Sequence, residues 1–210
     1  METANLTGDP GRTLVSKCDV TDAEAVTGMI AATQKKFGRI DALVNNAGIS
    51  RTAAFSTVTL AGWREVMAFN VESIVQVTQT ALPDLIVSRG SVVNVASVAG
   101  LGGDPGMTMY NAAKGAVVNL TRSLAVELAP RGVRVNAVAP SLTTTDATAD
   151  IPSGDVAEFV RRIPLGRAAE PEEIADVIAF LAGPDARFVT GVVLPVDGGL
   201  RASSGQPPHR

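Results

Sequence analysis

The chain has 210 residues, of which 46% are hydrophobic and 19% are charged, and its formal net charge is −3. These values fit one globular domain with a sizeable core, and they show no basic bias of the kind that a nucleic-acid partner requires. No apolar run approaches the ~18 residues that a transmembrane helix needs, so we expect no membrane partner.

Short, valine-rich runs alternate with longer helical patterns along the chain. The predicted elements are, in chain order, a strand at 12–20, a helix at 21–38, a strand at 40–48, a helix at 59–86, a strand at 90–97, a helix at 107–130, a strand at 133–140, a helix at 171–183 and a strand at 191–199. The strands do not alternate in polarity, which is typical of a parallel sheet buried on both faces. This order predicts one doubly wound α/β domain over residues 1–210.

Local signals predict where several helices begin and end. Thr21 and Glu24 form a predicted capping box on the first helix, and Gly38 is its predicted stop. Thr59 is the predicted cap of the second helix, and Pro171 the first residue of the last one.

Two segments lie outside this regular pattern. Residues 141–168 show no clear periodicity apart from a short helix near 156–162, and we expect a substrate loop there. The tail at 202–210 is expected to be loose or to pack against a partner subunit.

The predicted strand ends carry polar or turn-forming residues. They are Asp19, Asn45 with Asn46, Ser97, and Pro140 with Ser141. Ligands of open α/β sheets bind at the carboxyl ends of the strands, so we expect all of these residues to face one crevice. Tyr110 and Lys114 would begin the helix that follows Ser97.

The stretch MYNAAKGAV (109–117) places the chain's only tyrosine, Tyr110, four residues before Lys114. Residues at this spacing share a helix face, and a nearby ammonium lowers the pKa of a phenol from its usual value of about 10. Such a phenol could exchange a proton with an alcohol or an alkoxide, and Ser97 could stabilise the same oxygen. Alone, the pair is a weak signal, because a packing pair has the same spacing.

Other residue types that carry chemistry are scarce. The one cysteine, Cys18, lies in an apolar run where we expect it to pack, which excludes an internal disulfide and fits a reducing cytoplasm. The one histidine, His209, is next to last, so neither a Ser–His–Asp triad nor a metal site is expected. Acid–base chemistry is therefore left to Tyr, Lys, Asp or Glu.

Seven short motifs follow one another along the chain. They are CDVTD (18–22), NNAG (45–48), FNV (69–71), VNVASVAG (93–100), YNAAK (110–114), RVNAVAP (134–140) and VDGG (196–199). In these motifs and their order, the sequence from about Leu14 to Ala202 resembles the single-domain short-chain dehydrogenases/reductases. The resemblance implies a Rossmann-like doubly wound parallel sheet.

The resemblance also implies a catalytic set. In it, Tyr110 is the general acid/base, Lys114 lowers the pKa of Tyr110 and binds the nicotinamide ribose, and Ser97 positions the substrate oxygen. Asn70 would hold a water that links Lys114 to solvent. Asn has poor helix propensity, so its place inside a predicted helix is a small independent hint of function.

By the same resemblance, several residues are expected to contact the cofactor, NAD or NADP. Asp19 would contact the adenine ring, and the NNAG turn would approach the adenosine side. The expected contacts are Asp19, Asn45, Ala47, Gly48, Tyr110, Lys114, Pro140, Thr143 and Thr145. The family's usual Pro-Gly reads Pro140-Ser141 here, which makes the local backbone harder to predict.

The family's first strand, glycine-rich phosphate loop, first helix and second strand have no match in this sequence. The chain is therefore expected to begin just before the family's third strand, which leaves the strand at 12–20 without its natural neighbour. Three explanations stay open: an enzyme whose start lies upstream, a truncated inactive product, or a non-catalytic subunit that joins full-length partners. The first is favoured, because the catalytic set is intact.

The implied reaction is hydride transfer between NAD(H) or NADP(H) and a secondary alcohol or ketone. The alternative is a 3-oxoacyl carrier-protein reductase, which a basic patch of Arg161, Arg162 and Arg167 would favour over an ordinary solvated cluster. The resemblance further implies a cytoplasmic homo-oligomer, a dimer or tetramer, formed through the helix at 107–130. It specifies neither the substrate nor NAD over NADP.

Overall fold

Four parallel strands form the central sheet of the protein, whose computed structural model describes residues 10–204. The strands, hydrogen-bonded in chain order, are β1 (Ala42–Asn45), β2 (Ser91–Val95), β3 (Arg134–Pro140) and β4 (Val193–Val196). Val93 of β2 lies between Val44 and Asn136 in register. The predicted parallel α/β sheet is confirmed for these four strands, and their carboxyl ends meet at one edge.

Six α-helices accompany the sheet over residues 10–204. They are α1 (Ala23–Phe37), α2 (Leu60–Met67), α3 (Ser73–Ser88), α4 (Thr108–Leu128), α5 (Ser153–Arg162) and α6 (Pro171–Ala182). A π-helical turn, Ala68–Glu72, joins α2 to α3, so the two run on as the single helix predicted at 59–86. Within the 141–168 segment, α5 begins earlier than the predicted 156–162. Residues 205–210 of the predicted loose tail, which include His209, lie outside the described residues.

The predicted ends of three helices are confirmed. The hydroxyl of Thr59 accepts a hydrogen bond from the Gly62 N–H at 3.1 Å, which caps α2. Gly38 ends α1 at φ 76°, and its N–H donates to the Gln34 carbonyl. Pro171 is the first residue of α6.

The capping box predicted at the start of α1 is wrong. The N-cap is Asp22, whose carboxylate accepts from the N–H groups of Glu24 and Ala25 at 2.9 and 3.3 Å. The Thr21 hydroxyl does not cap the helix and instead donates to the Asp19 carboxylate at 2.7 Å. Thr21 and Asp22 are both residue types that cap helices. The N-cap is Asp22, whose negative charge also complements the helix dipole.

The strand predicted at 12–20 is also wrong. Residues 10–12 form a 3₁₀ turn, and 13–19 have no regular structure. Leu14 and Val15 are 37% and 56% exposed, so this apolar run packs against no sheet. Without a partner strand this segment gains no ladder of backbone hydrogen bonds, and the Thr13 carbonyl accepts from Lys36 Nζ at 2.6 Å instead. Among the described strands β1 is consequently an edge, and Val44 on it is 42% exposed.

The core lies between the sheet and the helices. Val92, Val93, Val135 and Val138 of the inner strands are completely buried, as is Leu85 of α3. Such valines fit the crowded interior of a parallel sheet. No helix in the described part of the chain has the length and apolarity to cross a membrane.

The guanidinium of Arg134, at the start of β3, caps the carboxyl end of α6. It donates to the carbonyls of Leu181, Ala182 and Gly183 at 2.7, 3.2 and 3.0 Å. The last carbonyls of a helix have no partner within the helix, and a positive charge there also complements the helix dipole. Arg134 thereby fastens α6 to the sheet.

We expect Arg134→Met to lower the free energy of unfolding by about 2–3 kcal/mol, because it leaves these carbonyls without a charged donor. Urea denaturation measures the change. Arg187→Met is the matched control, since Arg187 is exposed, and it should change stability by less than about 0.5 kcal/mol. Equal effects of the two substitutions would contradict the capping role.

Candidate active site

One cleft, of about 560 Å³, opens at the carboxyl edge of the sheet. The turns that leave β1, β2 and β3 form its floor, and the first turn of α4 and the π-helical turn close one side. Its polar end is lined by Asn46, Gly48, Asn70, Ser97, Tyr110 and Lys114, and its other lining residues include Val44, Val95, Ile174 and Ile178. The structure therefore brings together the four predicted catalytic residues.

The Ser97 hydroxyl lies beside the Tyr110 phenol in this cleft, positioned to hydrogen-bond it. Ser97 lies two residues after the end of β2. It caps the 3₁₀ turn Val98–Gly100, and its hydroxyl accepts a hydrogen bond from the Ala99 N–H at 3.1 Å. Burial raises the pKa of the Tyr110 phenol, and the hydrogen bond from Ser97 opposes that rise. At neutral pH the phenol is therefore protonated and held toward a second hydroxyl.

Lys114 lies one helical turn after Tyr110, with its Nζ 5.6 Å from the centre of the phenol ring. The ammonium is buried and donates to the Val95 carbonyl at 2.8 Å. Burial lowers the pKa of Lys114 to about 8. The expectation that Lys114 brings the pKa of Tyr110 below its usual value is not met in this structure, because burial dominates at the phenol.

Asn70 is completely buried in the π-helical turn. Its Nδ2 donates to the carbonyls of Ile49 and Val66 at 2.8 and 2.9 Å. Val66 O is the carbonyl that a regular helix would pair with the N–H of residue 70, so the side chain takes part in the local widening of the helix. Asn70 Oδ1 is buried and has no partner among the described residues.

Gly48 leaves open the space in front of Asn70 and Lys114. A Cβ atom at Gly48 would lie 2.6 Å from Asn70 Oδ1 and 3.6 Å from Lys114 Nζ. An unpaired buried acceptor costs free energy unless a polar group from a ligand or a water meets it. The open space beside Asn70 Oδ1 and Lys114 Nζ thus fits a donor that the chain itself does not provide.

Gly48→Ala is expected to lower kcat/KM about 10²-fold, because the methyl group would displace Asn70 and narrow this space. Steady-state kinetics measures the effect. The control is Gly28→Ala in α1, where a Cβ meets nothing within 4 Å. This control should gain about 0.5–1 kcal/mol of stability and keep full activity. Unchanged kinetics in Gly48→Ala would contradict the need for open space.

Three predicted cofactor contacts do not line the cleft. Asp19 lies in an irregular turn, and its carboxylate accepts from the N–H and hydroxyl of Thr21. The Asn45 amide points into the interior, where its Nδ2 donates to Asn94 Oδ1 at 2.8 Å and Thr78 Oγ1 at 3.1 Å. Only the backbone of Asn45 could therefore meet a ligand. Ala47 is exposed in the turn between Asn45 and Gly48 but is not part of the cleft lining.

The segment after β3 supplies a further wall. Pro140, Thr143 and Thr145 all line the cleft as predicted for cofactor contacts. Thr143 forms a parallel bridge to Ala169, and the Thr148 hydroxyl donates to the Thr143 carbonyl at 2.8 Å. This wall is built from backbone and hydroxyl groups and carries no charge.

Sequence reasoning found part of the lining and missed the rest. Asn46 lines the cleft as expected, because neighbouring residues of a strand point to opposite faces and the buried Asn45 leaves Asn46 to the cleft. Ile174 and Ile178 of α6, which close the apolar end, carried no signal that distinguishes them from core residues. Among the described residues that line the cleft, Lys114 is the only charged one.

Comparisons with known proteins match almost the whole chain. A family model described as Enoyl-(Acyl carrier protein) reductase matches residues 1–201. The chain is 47% identical over 197 residues to meso-2,3-butanediol dehydrogenase from Serratia marcescens, covering 94% of this chain and 78% of that protein. It is 43% identical over 194 residues to 3-oxoacyl-(acyl-carrier-protein) reductase FabG from Thermotoga maritima, covering 92% and 79%. The solved structure "ElxO with NADP Bound" is similar with a TM-score of 0.82 and 35% identity, covering 88% of this chain and 77% of that one.

Proposed function

The chain belongs to the short-chain dehydrogenase/reductase family, and from this premise we propose that Tyr110 is the general acid/base of its NAD(P)-dependent alcohol–ketone chemistry. The observation that carries the proposal is the grouping of Tyr110, Ser97 and the Lys114 ammonium in one cleft. The bound cofactor would supply or accept the hydride. Side chains of this chain would hold the substrate oxygen and transfer its proton.

In the reducing direction, Tyr110 would donate its proton to the ketone oxygen as that oxygen becomes an alkoxide. Burial keeps the phenol protonated for this step, since it raises the pKa of Tyr110. Ser97 would donate to the same oxygen and hold it against the phenol. In the oxidising direction Tyr110 must act as a phenolate, which the ammonium of Lys114 and the hydroxyl of Ser97 would stabilise.

Lys114 would bind the cofactor, and Lys114 and Asn70 together would relay the proton to solvent. The open space at Gly48 gives a hydroxyl-bearing ligand, such as the nicotinamide ribose, access to Lys114 Nζ. Asn70 Oδ1 is suited to accept from a water that carries the proton from Lys114 to solvent. We assign cofactor contacts to Gly48, Tyr110, Lys114, Pro140, Thr143 and Thr145, and to the exposed Asp19, Ala47 and the backbone of Asn45.

For the substrate we propose a small secondary alcohol or the matching ketone, as the name of the butanediol dehydrogenase relative suggests. The cleft offers the substrate hydroxyl groups and apolar surface, with no charge beyond Lys114 among the described lining residues. The basic patch that would favour an acidic carrier protein is largely offset, since its three arginines pair with two glutamates and keep one net positive charge. Arg161 and Arg162 both pair with Glu158.

Arg167, the third member of that patch, is also paired. Its two terminal nitrogens donate to the Glu173 carboxylate at 2.6 and 2.7 Å. The carrier-protein reductase stays the second candidate because of the FabG relative.

We further propose a cytoplasmic homo-oligomer. Ala112, Asn119 and Val126 lie seven residues apart on α4 and form one exposed stripe, with Val126 at 79% exposure. An apolar residue this exposed on a long helix favours contact with another subunit. Sedimentation of the purified chain measures the state, and a monomer at micromolar concentration would contradict it.

The test of function is a substrate panel with the purified chain. We would offer meso-2,3-butanediol, simple secondary alcohols and an acetoacetyl carrier-protein thioester, each with NAD(H) and NADP(H), and follow nicotinamide absorbance. Binding of NADH and NADPH is measured separately by nicotinamide fluorescence. Turnover of the diol above the thioester supports the proposal, and the reverse order supports the second candidate. Cofactor binding without turnover of any substrate would overturn both.

A further inference from the structure

Asn111, directly after Tyr110, reaches back to the turn that follows Ser97. Its Nδ2 donates to the Ala99 carbonyl at 2.7 Å, the Asp104 carboxylate at 2.9 Å and the Gly102 carbonyl at 3.3 Å. We call residues 98–104 the Ser97 turn. One amide group thus connects the first turn of α4 to three points of the Ser97 turn.

The orientation of this amide is fixed by its surroundings. All three neighbours are acceptors, so the NH₂ group must face them. Asn111 Oδ1 is then left buried, with no partner among the described residues. A buried acceptor without a partner is unfavourable, and its presence shows that the three donor contacts determine how the side chain lies.

A second contact presses the Ser97 turn onto the same helix. A Cβ atom at Gly100 would lie 2.5 Å from the carbonyl carbon and oxygen of Lys114. The backbone of the turn therefore rests directly on the backbone of α4, at the residue that carries the ammonium. From the other side, Arg201 Nη2 donates to the Leu101 carbonyl at 2.7 Å.

We infer that Asn111 is a positioning residue that holds the Ser97 turn against α4 and so maintains the hydrogen bond between Ser97 and Tyr110. The inference rests on the proposed function of Tyr110. Asn111 does not line the cleft, so it acts through Ser97 and touches no reacting atom. The structure thereby accounts for Asn111, which follows Tyr110 with its side chain directed away from the cleft.

The test uses the fact that Tyr110 is the only tyrosine. Its ionisation can be followed by phenolate absorbance, without substrate or cofactor. Ser97 donates to the phenol, and Lys114 is the charged group facing it on α4. We expect Asn111→Ala to raise the pKa of Tyr110 in the same direction as Ser97→Ala, with no further rise in the double variant, because both act through one hydrogen bond.

The kinetic counterpart is a fall in kcat of about tenfold or more at unchanged cofactor affinity. The matched control is Gln79→Ala, which removes an exposed amide side chain from α3 and should alter neither quantity. If Asn111→Ala does not fold, Asn111→Leu preserves the packing volume without donors, and Gly100→Ala should displace the turn independently.

Three outcomes separate the hypotheses. A raised pKa of Tyr110 with lowered kcat supports the inference. An unchanged pKa in a folded variant overturns it, even if the variant is less stable. A raised pKa in a chain that turns over no alcohol or ketone would instead contradict the proposed function and leave the positioning contact intact.

Discussion

Replacing Tyr110 with phenylalanine is expected to lower kcat about 10²–10⁴-fold, the range that general acid–base catalysis contributes. The phenol hydroxyl is the hydrogen-bond partner of Ser97. Among the described residues that line the cleft, it is also the only neutral acid that can exchange a proton with the substrate oxygen. Phenylalanine keeps the ring against Lys114, so cofactor affinity should change by less than about threefold. Steady-state kinetics followed by nicotinamide absorbance measures kcat, and fluorescence titration measures cofactor affinity.

The matched control for Tyr110→Phe is Ser97→Ala, which removes the other hydroxyl but leaves the acid in place. We expect its kcat to fall less, about 10–10²-fold, because one donor to the substrate oxygen is lost while proton transfer persists. In Tyr110→Phe the phenolate absorbance must also vanish, since the chain has no second tyrosine. A variant that loses this absorbance and keeps its kcat would remove Tyr110 from the mechanism.

Much of the site could be predicted from sequence because it depends on local spacing. Tyr110 and Lys114 share a helix face wherever that helix forms, and Ser97 follows a strand whose end must face the crevice. Thr59 and Gly38 were found for the same reason, since caps and stops depend on a few adjacent residues. These features need only the element that carries them.

Features that depend on contacts between distant segments could not be predicted. Arg134 meets carbonyls nearly fifty residues away, and nothing in its own strand indicates them. The direction of the Asn45 amide is decided by Asn94 and Thr78 across the sheet. The strand expected at 12–20 had a suitable local pattern, but a strand exists only with a partner, and the described residues provide none.

The pKa of Tyr110 could not be predicted from the sequence for the same reason, because it depends on burial by distant segments. Sequence spacing places an ammonium near the phenol and predicts a lowered pKa. Spacing gives no information on burial, which raises the pKa of the phenol and lowers that of Lys114 to about 8. Burial thus favours the neutral form of each group. The balance between the neutral and charged forms is therefore closer than in a simple ion pair.

This balance leads to a second large effect: Lys114→Met should inactivate the enzyme and stabilise the fold. Below pH 8 the folded protein holds a buried ammonium whose one hydrogen bond within the described residues goes to the Val95 carbonyl. Methionine has similar length and no charge. We expect the free energy of unfolding at pH 7 to rise by about 1–3 kcal/mol, the burial cost less one hydrogen bond. The loss of the charge beside Tyr110 should lower kcat by at least about 10²-fold.

The advantage of Lys114→Met over the wild type should shrink as pH rises. An unfolded lysine titrates near ~10.4, and Lys114 in the folded protein at about 8. Between these values the folded wild type has released a proton that its unfolded chain still binds, so wild-type stability increases with pH there. Below both values the two states bind the same proton and the burial cost is undiminished. Urea denaturation at pH 7 and pH 10 measures this difference.

Lys35→Met is the matched control for the charge itself, because Lys35 is an exposed lysine in α1. It should change stability by less than about 0.5 kcal/mol at either pH, and it should leave kcat unaltered. If Lys114→Met were less stable than the wild type at pH 7, the ammonium would have to be favourable where it lies. The protein would then hold Lys114 for stability as well as for chemistry, whereas the buried position and lowered pKa indicate a charge kept at the expense of the fold.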